Sequence, residues 1–502
     1  MKSLQGDLLL QRLSQQASGK LYTRLYNVIR LSILDGTLVS GSRLPPSRDL
    51  AGELKISRNT VIKVYEQLLA EGYIVSRTGS GTYVTESVPD KLLSIPISAP
   101  LISEEPAQST LSVRGKQLLS QARASANQWG AFMPGVPDVT AFPHKLFSRY
   151  LTRLNRAPSP LQLTYNSHPG GDETLQLALV EYLRVSRSVH CAPQQILITE
   201  GVHQALDLVT RMLCNPGDYA WVEEPGYWGI RNILKMNDVN ICPIAVDESG
   251  MVPPDELITA PPRLIFVTPS HQYPLGSVMS LPRRQQLLAI ARRLGSWLIE
   301  DDYDSEFRFS GHPIPALQGL ETETPVIYIG TFSKTLYPGL RLGYVVLPEA
   351  LVNPLLTAHT ELYRAGHTLT QQALAQFIHD GHYSAHIRRM RLLYAKRRAF
   401  LTDLIEEHMG KDALHPFTSN AGLHLILNLP DNLDDVAVAS EANKLGVLVR
   451  PLSRYYHGAK RSSGLLMGFA SLPEEEMEAA FSILMRCINQ HPSRVKLLNR
   501  GE

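Results

Sequence analysis

The chain has 502 residues, 44% of them apolar and 19% charged, and a formal net charge of +2; this length exceeds one ordinary hydrophobic core and sets an expectation of two or three domains. No apolar run reaches the roughly 18 residues a membrane span needs, and MKSLQGDLLLQRLSQQ carries no small-residue cleavage site, so neither a secretory signal nor a membrane anchor is expected. Cys191, Cys214, Cys242 and Cys487 lie far apart in no ligand spacing, which argues against a disulfide framework or a metal site and suits the cytoplasm.

The charge is uneven. Residues 1–85 hold 11 Lys and Arg against 6 Asp and Glu, a net of +5 that leaves −3 for the rest, and a basic small domain is what nucleic-acid binding asks for. A first helix is predicted from the apolar face Leu21, Leu25, Val28, Ile29 and Ile33, ending near Gly36. A short second helix follows RLPP, with Ser47 as its expected N-cap and Leu50, Ala51 and Leu54 turned inward. Ser57 is the expected N-cap of a third helix with the stripe Val61, Val64, Tyr65, Leu68 and Leu69, and Arg58, Asn59 and Lys63 on its other face. GYIVSRTGSGTYV, 72–84, predicts two strands joined by a glycine-rich hairpin.

In a helix-turn-helix, the start of the second helix of the pair enters the major groove, where Arg and Asn reach base edges while Ser, Thr and Lys hold phosphates. That start is Ser57-Arg58-Asn59-Thr60 here. As a whole, RLPPSRDLAGELKISRNTVIKVYEQLLAEGYIVSRTGSGTYV resembles the winged helix-turn-helix of the GntR family of bacterial repressors. The resemblance implies contacts to a double-stranded DNA operator by Arg48, Arg58, Asn59, Thr60 and the wing tip around Gly79. On charge, Arg43, Lys63 and Arg77 are expected phosphate partners. The DNA-binding domain is expected over 15–85.

Residues 86–114 contain four Pro, six Ser and no Gly, and predict an extended linker. Beyond it, QILIT (195–199), YAWVE (219–223), RLIFVT (263–268), SWLIE (296–300), VIYIG (326–330) and LGYVVL (342–347) alternate with helical stretches. That alternation predicts an α/β domain over 115–490 with a mainly parallel sheet, whose ligand site sits at the carboxyl ends of the strands.

Several of those strand ends offer groups for one ligand. TEGVHQALDLV turns from strand to helix through Gly201, Val202 and His203, where backbone N–H groups suit a phosphate. Tyr227 in EEPGYWG offers an aromatic plate. Asp301 and Tyr303 in IEDDYDSEF offer a carboxylate for a protonated ring nitrogen and a hydroxyl for a ring oxygen. Lys334 in SKTLYPGLRLGY is a Schiff-base candidate if burial lowers its ammonium pKa, and Arg341 follows within reach of a phosphate.

With these motifs, residues 115–490 resemble the fold-type I aminotransferases, including a small C-terminal α/β subdomain, and the combination with the N-terminal module resembles the MocR subfamily. The resemblance implies pyridoxal 5'-phosphate, with Lys334 as the aldimine lysine, Arg341 on the phosphate, Asp301 on the pyridine nitrogen, Tyr303 on the phenolic oxygen and Tyr227 stacked on the ring. Tyr165 in YNSHPGG matches a tyrosine that reaches the neighbouring subunit's phosphate, which implies a homodimer.

Three motifs depart from the enzymes. Val202-His203 replaces a hydroxyl-bearing pair, so backbone donors are expected to hold the phosphate alone; HQYPLG (271–276) replaces HNPTG; and GLLMGFA (464–470) puts Leu466 where the enzymes carry the arginine that grips the substrate carboxylate. Arg450 and Arg461 are the nearby arginines that could stand in. The expectation is a cytoplasmic regulator sensing an amine, an amino acid or pyridoxal phosphate, rather than a multiple-turnover transaminase. The alternatives are a working aminotransferase with a DNA-binding appendage and a repressor whose large domain binds no cofactor.

Overall fold

The structure, a computed structural model, describes residues 4–15, 19–77, 79–85, 111–120, 128–164, 169–254, 260–311, 314–321, 324–364, 366–430, 432–458 and 461–491. The chain divides into two compact units, 1–110 and 111–502. Residues 86–110 of the expected linker lie outside the described residues, and its end already belongs to a helix, Val113–Ser120.

The first unit holds α1 (Leu4–Gln15), α2 (Leu21–Leu34), α3 (Ser47–Leu54) and α4 (Arg58–Ala70), then β1 (Ile74–Arg77) and β2 (Gly81–Val84), paired antiparallel with Arg77 opposite Gly81. Helix α1 was not expected. Its Leu9 and Leu13 join Leu25, Val28, Ile29, Leu50, Leu54, Val61, Val64, Leu68, Ile74 and Val84 in one core. Arg12 pins it, donating to Ser32 Oγ at 3.0 Å, Asp35 Oδ2 at 2.6 Å and Thr37 Oγ1 at 2.9 Å. Leu21 and Leu69, placed by periodicity on inner faces, are 39% and 44% exposed because they sit at helix ends, beyond the reach of the neighbouring helices. Ser47 is the first residue of α3 rather than its cap: the Pro46 carbonyl accepts from the N–H groups of Asp49 and Leu50 and starts the helix one residue earlier.

In the second unit an eight-stranded sheet runs in the order β3-β10-β9-β8-β7-β4-β5-β6. The strands are β3 (Ile196–Thr199), β4 (Tyr219–Glu224), β5 (Asn240–Asp247), β6 (Gly250–Met251), β7 (Leu264–Val267), β8 (Trp297–Asp302), β9 (Val326–Thr331) and β10 (Gly343–Val346). All six expected strands form. Strand β5 was not foreseen because Pro243 interrupts its apolar run; the strand tolerates it because Pro243 pairs with β4 on one side only, β6 reaching just Val246 and Asp247.

Strands β4, β5, β7, β8 and β9 are mutually parallel, and β10 runs against both β9 and β3, so β3 shares their direction. The carboxyl ends of β3, β4, β7, β8 and β9 therefore emerge at one edge. Alternate residues bury on opposite faces: Ile327 and Ile329 pack with Leu206, Val209 and Leu355, while Tyr328 packs with Leu175 and Leu179. The second layer is what an apolar run on every strand requires. A smaller antiparallel sheet, β11 (His424–Asn428), β13 (Gly464–Gly468) and β12 (Arg450–Pro451) in that order, forms the C-terminal subdomain with helices Asp435–Lys444 and Glu474–Gln490. No described helix is long and apolar enough to cross a membrane.

Candidate functional site

Just beyond the strand ends lies a cavity of about 410 Å³ lined by Val202, His203, Tyr227, Asp301, Tyr303, Lys334 and Arg341, all expected from sequence. Lys334 follows β9 and donates from Nζ to the carbonyl of Gly135 at 2.8 Å. Burial lowers its ammonium pKa, opposed by Asp304 and Asp301. Gly135 has φ +70°, and a Cβ there would stand 3.1 Å from Lys334 Nζ, so this approach needs glycine.

Asp301 closes β8. It is 5% exposed, its Oδ1 has no hydrogen-bond partner, and burial pushes its carboxyl up to about 8, with Asp302 adding to the shift and Lys334 opposing it. The Tyr303 hydroxyl lies 2.9 Å from His271 Nδ1, which also lies 3.1 Å from Asp304 Oδ2. One ring nitrogen carries one proton; donation to Asp304 leaves the Tyr303 hydroxyl with its own proton for the cavity.

The helix Val202–Leu213 begins after Gly201, and its first N–H groups have no intrahelical partners. Gly201 has φ +99°, and a Cβ on it would meet Arg341 Nη2 at 3.3 Å. Arg341 itself donates from Nη2 to the Glu200 carbonyl at 2.6 Å, which holds the guanidinium over this helix start. His203 Nε2 pairs with Tyr227 OH at 2.5 Å; burial, then Arg341 and Lys334, hold its imidazole below the ordinary value, so it is neutral at pH 7.

Thr331 and Ser333 line the same cavity from the end of β9, so hydroxyl-bearing residues stand there in the segment before Lys334 rather than at the helix start. TFSK was legible in the sequence, but only the fold shows that β9 and β3 end at one edge. Sequence reasoning also missed Gly135 and His271, which contact the cavity residues from distant segments, and Asp304, the neighbour of Tyr303, which pairs with His271. His271, Asp304 and His424 form a buried trio with ligand atoms within 4.8 Å of one another. His424 Nε2 lies 2.9 Å from the Pro274 carbonyl. Tyr165 lies outside the described residues. Leu466 is fully buried among Leu275, Ile426, Leu452 and Tyr455.

In the first unit Arg48, Ser57, Arg58, Asn59, Lys63, Arg77 and Gly79 are exposed and Thr60 is half-buried. Ser57 occupies the N-cap position of α4, yet its hydroxyl makes no cap bond. Arg77 lies over the Tyr83 ring at 5.1 Å, and Arg43, whose guanidinium borders Gly81, bridges to Tyr83.

Two family models match: "Bacterial regulatory proteins, gntR family" over residues 21–84 and "Aminotransferase class I and II" over residues 161–484. The chain is 40% identical over 475 residues to the probable rhizopine catabolism regulatory protein MocR of Rhizobium meliloti, covering 94% of each chain. It is 32% identical over 458 residues to the pyridoxine biosynthesis transcriptional regulator PdxR of Corynebacterium glutamicum, covering 91% of this chain and 93% of that one. Among solved structures, LysN, the alpha-aminoadipate aminotransferase of Thermus thermophilus complexed with N-(5'-phosphopyridoxyl)-L-leucine, superposes with a TM-score of 0.67 at 24% identity, covering 74% of this chain and 96% of that one.

Proposed function

The chain belongs to the GntR-family transcriptional regulators of MocR type, and on that premise we propose that its aminotransferase-like unit holds pyridoxal 5'-phosphate at Lys334 and reports an amine, an amino acid or the cofactor itself to the winged helix-turn-helix. The partner of that module is DNA, a double-stranded operator contacted by Arg48, Ser57, Arg58, Asn59 and Thr60, with Lys63, Arg77 and the Gly79 tip on the backbone. We place the protein in the cytoplasm as a homodimer, a two-fold arrangement suited to a palindromic operator.

The observation that carries the reading is Asp301 Oδ1, a buried carboxyl oxygen without a partner in the cavity that Lys334 also lines. A protonated pyridine nitrogen supplies the cationic N–H donor it lacks. The unspent N–H groups after Gly201, together with Arg341, Thr331 and Ser333, suit a phosphate, and Tyr227 offers a face to a flat ring. Bound pyridoxal phosphate supplies an electrophilic carbon for amines and a ring that draws electron density from it.

The chain's own groups do the rest. Lys334 offers an amine whose proton is loosely held because burial disfavours the ammonium. Asp301 holds the ring by a charge-assisted hydrogen bond. Tyr303, backed by His271 and Asp304, donates to a ring oxygen. Communication to DNA requires that the effector bind two arrangements of the protein with different affinity. Sustained turnover is not part of the proposal, because Leu466 is buried among apolar side chains and cannot pair with a substrate carboxylate.

Borohydride reduction of the full-length protein followed by peptide mapping tests the reading. Fixation of the cofactor on the peptide containing Lys334 is expected; fixation on another lysine, or a colourless protein that takes up no cofactor, overturns it. Efficient multiple-turnover exchange between an amino acid and a keto acid would replace the regulator with an enzyme.

A further inference from the structure

A second cavity, of about 270 Å³, lies behind β8 and is lined by Arg187, Ser270, Ser305, Glu306, Arg308 and Arg391. Successive residues of a strand project to opposite faces. Asp301 lines the Lys334 cavity, and Asp302 turns the other way, to an ion pair with Arg187 at 2.7 Å. The two cavities have no lining residue in common.

The positive charge of this second cavity is not balanced within the fold. Arg187, the last residue of the helix Glu173–Arg187, is committed: Nε donates to Asp302 Oδ2 at 2.7 Å, Nη1 to the Ile314 carbonyl at 2.7 Å and Nη2 to Ser270 Oγ at 2.6 Å. Ser270 accepts there, so its own hydroxyl proton is left to donate. Arg391, on the helix His382–Met409, donates from Nε at 3.0 Å and Nη2 at 2.8 Å to the Glu306 carbonyl, a neutral acceptor, and forms no ion pair among the described residues. The Arg308 side chain makes no hydrogen bond or ion pair among the described residues, and its Nε is buried without an acceptor. Gly311, also in the lining, has φ +80°, and a Cβ on it would stand 3.2 Å from Arg308 Nη2 and 3.6 Å from Nε, so the guanidinium lies along the cavity wall.

Glu306 is the acid of the lining. It accepts from the Tyr182 hydroxyl at 3.0 Å, and burial, then Asp302, pushes its carboxyl up to about 7, so its charge is partial at neutral pH. Two guanidinium groups thus face one partial negative charge, and one of them holds a buried N–H that no described residue satisfies. A buried donor left unmet is costly, and a doubly charged oxyanion supplies what both arginines lack. A phosphate monoester carries about −1.5 to −2 charges at pH 7 and three acceptor oxygens, whereas a single carboxylate leaves one arginine unbalanced.

We propose that this cavity is a second ligand site, which takes the phosphate group of a small phosphate ester between the guanidinium groups of Arg308 and Arg391, with the Ser270 hydroxyl as a further donor. The site is separate from the Lys334 cavity and does not depend on a cofactor there. Its volume, about 270 Å³, falls just under the roughly 300–1,000 Å³ of sites for drug-sized ligands, which suits a small ester better than a bare anion.

The test uses the full-length protein, dialysed free of loose cofactor and titrated by calorimetry with glycerol 3-phosphate, inorganic phosphate, succinate and glycerol. Glycerol 3-phosphate should bind and raise the melting temperature, inorganic phosphate and succinate should bind more weakly, and glycerol should not bind. Because Arg341 is the phosphate arginine proposed for the other cavity, Arg341→Gln locates the ligand: one glycerol 3-phosphate per chain should still bind in that variant. Adding Arg308→Gln to it should weaken this binding about tenfold to a hundredfold, the range for charge-assisted hydrogen bonds, and Arg308→Lys should keep part of it. Arg391→Gln should weaken it as well. The ligand-free melting temperature should hold in the Arg308 variants, since that side chain bonds to no described residue.

Binding lost in Arg341→Gln alone, or unchanged by Arg308→Gln, overturns the proposal. So does the absence of glycerol 3-phosphate binding, and so does succinate or inorganic phosphate bound as tightly as the ester. Failure of the cofactor reading leaves these outcomes unchanged, because borohydride fixation at Lys334 is read separately from the Arg308-dependent binding.

Discussion

The two units place their chemistry in opposite ways. In the first, Arg48, Arg58, Asn59 and Lys63 stand exposed on 16 consecutive residues, without ion pairs among the described residues. In the second, Asp301 and Tyr303 come from the end of β8 and Lys334 from the end of β9, and they are held by Gly135 and His271 from still other segments. A DNA reader must leave its donors to water until phosphate or base edges arrive, so a contiguous run of sequence suffices. A small-molecule site must shift pKa values by burial, which needs walls drawn from the whole chain.

The comparison predicts all-or-none effects in the buried site. Lys334→Ala should abolish covalent fixation of the cofactor after borohydride reduction while leaving operator binding by the cofactor-free protein measurable, because the two units have separate cores. Loss of both activities in a folded Lys334→Ala protein would break the comparison.

Next in size is Leu466→Arg, the change that would restore the enzymes' arginine. Leu466 is fully enclosed and its cross-strand partner is already Arg450, so a second guanidinium there is buried beside a like charge. Denaturant unfolding should show a loss of about 3–5 kcal/mol, the range for an unpaired buried charge. A stable Leu466→Arg protein with improved amino-acid binding would show that the pocket can reopen at this position.

The same contrast explains what could be read from sequence. The helix-turn-helix was legible because each of its signals is local: the apolar stripe of α4, the left-handed turn at Lys55 and the glycines of the wing. The six expected strands were legible because burial on both faces makes each a continuous apolar run. Helix α1 escaped because Leu8, Leu9 and Leu10 read as a bare leucine run until α2 and α3 supply a surface for Leu9. Cofactor candidates were legible as residue types at strand ends. Their supports were not, since nothing local connects Gly135 to Lys334 across 199 positions or Tyr303 to His271. That Arg450 lines a cavity with Lys334 while Arg461 donates to the Gly458 carbonyl needed the fold of the C-terminal subdomain.

Asp301 sharpens the comparison through pH. Its folded-state value of about 8 lies above the ordinary 3.8, so between those values the folded chain keeps a proton that the unfolded chain releases. Stability of the cofactor-free protein therefore falls as pH rises from about 4 to about 8, by up to about 1.4 kcal/mol per pH unit from this group. Glu223, Glu300 and Glu306, each pushed up to about 7, act in the same direction. Asp301→Asn should flatten but not abolish the slope of melting temperature against pH, and it should weaken cofactor binding. An unchanged slope would mean that Asp301 meets solvent in the folded protein.

The smallest effects belong to the exposed unit, and there the prediction concerns their kind. Arg58 is the first residue of α4 and Lys63 lies five residues further along, both exposed. The start of a recognition helix lies closest to the groove floor, where a forked guanidinium distinguishes guanine from the other bases. Arg58→Ala should therefore cost about 1–3 kcal/mol on the operator and much less on random DNA. Lys63 carries a point charge on a flexible stem, suited to a phosphate. Lys63→Ala should weaken every sequence alike and reduce the slope of log affinity against log salt by about one. Both follow from operator and random-duplex titrations at several salt concentrations. Neither should alter the melting temperature appreciably, since neither side chain packs in the core of its unit; an equal loss on both duplexes for Arg58→Ala would move base reading away from the start of α4.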